Sequence, residues 1–243
     1  MNIMSFASNF NYILNERITD DSYVKAINLI KQELVNFSNI THESNDEKIY
    51  RIYSLSNPIK TEFGLVEELY FTIIDPIKDS RWKRKQGEVT PDGKEVILFP
   101  SPVEFKKLKQ QNEHPLLFLL SGYTMDNAIT HELTHALNKL RSRGIKWPAK
   151  GKEQFDTDSI DYERSTEEMQ ARIVPIIADI KRKIQDKRSR EGKQFATLVM
   201  NRDVHGFVDA VLSRYGHDLY FGRLDSKTKQ RYIKRLTDIF QTL

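Results

Sequence analysis

The stretch TMDNAITHELTHALNKLRSR, residues 124 to 143, reads as one helix. Thr124 or Asp126 can cap its start, basic residues fill its last turn, and Gly144 ends it. Ile129, Leu133, Ala136, Leu137 and Leu140 recur at steps of three and four and make an apolar face. The same helix carries His131, Glu132 and His135. Residues i and i+4 of an α-helix lie one turn apart on one face, so both imidazoles address a single point. Glu132 is rotated about 100° from His131 and borders that point.

Neutral imidazole is a good zinc ligand, and a carboxylate beside the metal suits a general base acting on water. The spacing H-E-x-x-H meets both needs within five residues of one rigid element. The plainer alternative is a helix that happens to expose two histidines, or that buries them against backbone. Two histidines do not complete a catalytic zinc site, which takes three protein ligands and a water. The three-histidine extension of the motif would need Gly at 138 and His at 141. The chain has Asn138 and Arg141 there, so a third ligand has to come from further on.

Candidates lie in DTDSIDYERSTEEMQAR, residues 156 to 172. Glu168, Ala171 and Pro175 fall on one stripe of a predicted helix, with small or flat neighbours that permit close approach. Glu167 points about 100° away. Glu163 and the aspartates Asp156, Asp158 and Asp161 are further alternatives. A competing role for Glu168 is the capping box Ser165-Thr166-Glu167-Glu168, in which it bonds back to the Ser165 amide.

HELTH (131 to 135) and EEMQAR (167 to 172) together resemble the glutamate-ligand zincins, or gluzincins. The resemblance implies zinc held by His131, His135 and Glu168, with Glu132 as base, in a metallopeptidase. Compact viral and bacterial zincins show a similar HEL.H followed by E..AR, and this short, Lys/Ile/Asn-rich chain suits a phage-encoded one. Such an enzyme also needs a donor for the developing oxyanion. Tyr162 and His205 are the residues chosen for that role, with His217 and Arg172 as further options. Zincins resemble one another in placing an edge strand above the active-site helix, where an extended peptide can add by β-augmentation. KEVILFP, 94 to 100, is the strand expected at that edge.

The remaining sequence sets the surroundings. There are no cysteines, which excludes disulfide scaffolds, thiolate zinc sites and cysteine nucleophiles. With 39% hydrophobic and 30% charged residues, the 243-residue chain suits a helix-rich globular protein. Its start lacks the basic, apolar and cleavage regions of a secretory signal, and its longest apolar run, PLLFLL, is too short to span a bilayer. A cytoplasmic protein with no membrane contact is expected, unless it is packaged in a virion or delivered to a host. From Lys181 onward 15 Lys/Arg face 7 Asp/Glu, a net +8, which leaves −4 on the rest. That basic tail offers a surface for an acidic partner or nucleic acid, or is simply a solvated helical face.

Residues 20 to 38 read as an amphipathic helix capped by Asp20 or Asp21. GLVEELYFTIID (64 to 75) and KEVILFP read as strands of a small antiparallel sheet, and SPVEFKKLKQQ starts a helix with Ser101 as cap. Helices follow at 166 to 190, kinked at Pro175, and at about 193 to 201, 204 to 215 and 225 to 242. The expected organisation is an N-terminal helical region (1–60), a zincin-like core (61–190) and a basic C-terminal helical region (191–243), in one compact domain. The expected fold class is α+β, mostly helical, with the small sheet packed by the HELTH helix. The expected activity is peptide-bond hydrolysis of a peptide or protein substrate, using Zn2+. The alternative is a zincin-like structural or nucleic-acid- or partner-binding protein with a non-catalytic metal site.

Overall fold

The computed structural model describes residues 19–37, 41–42, 46–110, 119–120, 123–142, 166–186 and 188–243. It divides into two compact units, Met1–Gly144 and Ile145–Leu243. The fold is α+β and mostly helical, as the sequence predicts.

Among the described residues the first unit begins with α1 (Asp20–Phe37). Its apolar stripe of Tyr23, Ala26, Ile27, Ile30 and Leu34 is buried, which is the helical period read from the sequence. The cap is Thr19 rather than Asp20 or Asp21. Ser22 N–H donates to Thr19 Oγ1 at 3.4 Å, and Thr19 N–H donates to Ser22 Oγ at 3.3 Å, a reciprocal box one residue upstream of the aspartates. The helix α2 (Pro102–Gln110) starts as expected. Glu104 N–H donates to Ser101 Oγ at 3.3 Å, and Ser101 N–H donates to the Glu104 carboxylate at 2.8 Å.

Between these helices the described residues form seven strands: β1 (Thr41–His42), β2 (Ile49–Ser54), β3 (Ile59–Thr61), β4 (Gly64–Val66), β5 (Tyr70–Ile74), β6 (Gly87–Val89) and β7 (Glu95–Leu98). Five form one sheet in the order β1-β2-β5-β7-β6, and β3 with β4 form a separate hairpin. The large sheet is mixed, because β5 and β7 run parallel while its other pairings are antiparallel. Phe71 opposite Val96 and Ile73 opposite Leu98 fix the parallel register, and all four side chains are buried. The stretch 64 to 75 is two strands, not one. It breaks at the exposed Glu67 and Glu68, so its first part closes the hairpin and its second enters the sheet. The strand β7 is interior and not the expected edge, because β6 covers its outer side.

The motif helix is α3 (Tyr123–Ser142). Thr124 and Asp126, the expected caps, fall inside it, and Gly144 lies outside the described residues. Met125, Ile129, Leu133, Ala136 and Leu137 are buried. Polar ties fix it to its unit, among them a hydrogen bond from Tyr23 Oη of α1 to Asn138. Lys31 of α1 donates at 2.6 Å to both Asp126 and Thr130. Lys139 donates to the Thr90 carbonyl at 2.7 Å, just past β6.

The second unit contains α4 (Thr166–Gln185), α5 (Arg190–Met200), α6 (Val204–Tyr215), a 3-10 turn (Phe221–Arg223) and α7 (Ser226–Phe240). The helix α4 runs through Pro175 as one element. It stops before residue 190 because Ser189 caps a new helix, accepting from Gly192 N–H at 3.0 Å. Gly192 is required there, since a Cβ would lie 1.8 Å from the Lys183 carbonyl oxygen. Asp203 and Asp225 cap α6 and α7 in the same manner. Ile173, Ile177, Phe195, Phe207, Val211, Tyr232 and Leu236 form the core of this unit. No helix among the described residues is long and apolar enough to cross a membrane.

Candidate metal centre

The two histidines of α3 converge as their spacing requires. Their Nε2 atoms lie 3.2 Å apart, and their rings sit 4.8 Å between centroids at 74°. Two zinc–imidazole bonds of ~2.1 Å at a tetrahedral angle set the nitrogens about 3.4 Å apart. The observed separation is close to that span, and it is also the distance of a hydrogen bond between the two rings. His135 is 8% exposed, and His131 is half-buried.

Glu132 is 9% exposed and packs against the sheet. A Cβ on Gly87 of β6 would meet Glu132 Cγ at 2.8 Å and Oε1 at 3.3 Å. The backbone of the edge strand thus lies directly against this carboxylate. Strand alternation turns Glu88 to the other face, where Arg81 holds it at 2.9 Å.

Glu168 lies in the first turn of α4 and is 2% exposed. Arg172, one turn later, donates from Nε to Glu168 Oε1 at 2.6 Å. The Arg172 guanidinium in turn lies 4.2 Å from the centroid of the Tyr220 ring.

Among the described residues, His131, His135 and Glu168 form a group whose ligand atoms all lie within 4.8 Å of one another. Two imidazoles and a carboxylate are donors that fit a divalent ion of borderline softness, so this group could hold a metal. No family model, curated protein or solved structure matches this chain.

The other sequence candidates stand apart or lie elsewhere. Glu167 is exposed and outside the group. Tyr162, Glu163, Ser165 and the aspartates Asp156, Asp158 and Asp161 lie outside the described residues. His205 is exposed in the first turn of α6, and the side chain of His217 is 98% exposed. Sequence reading weighed Arg172 only as an oxyanion donor, although its i+4 spacing from Glu168 is a readable ion-pair signal. Gly87 and Tyr220 carried no such signal. Their roles come from the contact of β6 with α3, and of the turn before Phe221 with α4.

Proposed function

We propose that this chain is a zinc-dependent metallopeptidase, with His131, His135 and Glu168 as the metal ligands and Glu132 as the general base. One observation carries the reading: a three-residue group with the donor set of catalytic zinc, with a buried carboxylate one position along the helix from its first histidine. Zinc bound there would supply Lewis-acid activation of water and of the scissile carbonyl. Glu132 accepts the proton from the attacking water and then passes it to the departing amine. Its burial beside Gly87 keeps the carboxylate in one place and shields it from bulk water.

The substrate enters as an extended peptide on the outer edge of β6. That strand ends the sheet, and its backbone borders Glu132, so a peptide paired to it runs past the base. The sequence resemblance to gluzincins points to the same ligand set and the same use of an edge strand, here β6 instead of the expected β7.

Two measurements test this. Metal analysis of purified protein should give about one zinc per chain, markedly reduced in Glu168→Ala and His135→Ala. A peptide-library digest should show cleavage by the wild type and none by Glu132→Gln, which keeps its zinc. Full activity in Glu132→Gln would sink the mechanism. A wild-type protein that binds zinc but cleaves no peptide would favour a metal-stabilised binding protein.

A further inference from the structure

We propose that Tyr220 is a positioning residue for the third metal ligand, acting through Arg172; this rests on the metal centre proposed above. A ligating carboxylate is oriented by an outer hydrogen-bond partner that holds its rotamer. Arg172 does this for Glu168 by donating from Nε to Oε1 at 2.6 Å. Arginine is long and flexible, however, and fixes its partner only if it is itself fixed.

Tyr220 supplies that restraint. Its ring centroid is 4.2 Å from the Arg172 guanidinium carbon, a close cation–π contact. Arg223 lies 5.6 Å from the same ring, and the imidazole of His217 stacks 6.4 Å away at 26°. The backbone of Tyr220 is left-handed, with φ 50° and ψ 26°, a conformation rarely adopted by a bulky residue. The ring is 38% exposed, so core packing does not account for that conformation. What the left-handed turn achieves is to set the ring against Arg172. The line from Tyr220 through Arg172 to Glu168 thus links a surface aromatic to a buried ligand, all within the second unit.

The test is a zinc titration against a chromogenic chelator, using full-length wild type, Tyr220→Phe, Tyr220→Ala and Tyr220→Leu. None of these changes the charge near the metal, unlike Arg172→Ala, whose lost cation would by itself tighten binding. Tyr220→Phe keeps the π face and should bind zinc as the wild type does. Tyr220→Ala should bind about tenfold or more weakly, the usual loss when a partner of a metal ligand is removed. Tyr220→Leu keeps apolar cover without the π face and should resemble Tyr220→Ala; it also serves as the reading if the alanine variant does not fold. Affinities within twofold of wild type for Ala and Leu would overturn the positioning role and leave the metal centre standing. A wild type that takes up no zinc would overturn both.

Discussion

Gly87 has two demands on it that only glycine meets. It continues the edge strand opposite Leu98, and it leaves room for the Glu132 side chain. Adding one methyl would bring carbon to 2.8 Å from Glu132 Cγ, closer than real contacts allow, so the carboxylate must swing away. A misplacement of about 1 Å at a reacting group can cost roughly 100-fold in rate. On the proposed mechanism, Gly87→Ala should therefore lower the peptidase rate by about tenfold to 100-fold while leaving zinc content at the wild-type level. Steady-state kinetics beside metal analysis checks this. Zinc loss in parallel with activity would mean that Gly87 supports the helix as a whole rather than the base.

The helices of the second unit are locked by a buried polar cluster. Asp179 of α4 accepts from Tyr215 Oη of α6 at 2.6 Å, from Lys183 at 2.9 Å and from Arg182 at 2.6 Å. Lys183 reaches on to Glu191 of α5 at 2.8 Å. Burial alone would push the Asp179 carboxyl up, but the hydrogen bonds from Tyr215, Lys183 and Arg182 outweigh it and hold it below its ordinary value. Burial, reinforced by Asp179, pushes the Tyr215 phenol up to about 12. A depressed carboxyl contributes stability that is present above its unfolded value, near 3.9, and is lost as pH falls through the folded one. The second unit should therefore weaken below about pH 4, and Asp179→Asn should remove that acid-sensitive contribution. The same substitution should cost about 3 kcal/mol near neutrality, the low end for breaking a buried pair, because Lys183 keeps Glu191. Urea unfolding of wild type and variant at pH 7 and pH 3.5 measures both effects. A variant as stable as wild type at pH 7 would contradict the locking role.

Elements defined by local signals were legible in the sequence for this reason: α1, α2 and α3 carry their apolar period and, in α2, the whole capping box within a few residues. The sheet was not. The three residues of β6 and the run IYRIYS of β2 show no clear alternation, and the parallel pairing of β5 with β7 is a matter of strand order that no local pattern encodes.

Across the whole chain, the candidate centre was legible to the extent that one helix encodes it. His131, Glu132 and His135 follow from a five-residue spacing. Glu168 follows only from a stripe and a resemblance, because it lies far along the chain from the histidine pair and no local signature links the two. That same fact has a thermodynamic consequence. Ligands drawn from distant parts of a chain are not gathered when it is unfolded, so zinc held by the proposed group would favour the folded form. At free zinc 100 times its Kd this adds about 2.7 kcal/mol. For a chain of this size such a gain raises the melting temperature by about 5 to 10 °C. With no cysteine anywhere in the sequence, there is no thiolate to hold zinc in the unfolded state and blunt the effect. Wild type melted with zinc should thus exceed wild type melted with EDTA by that margin, and His135→Ala should melt at the same temperature in both. A zinc-loaded wild type whose melting is indifferent to EDTA would place the ion somewhere other than these three residues.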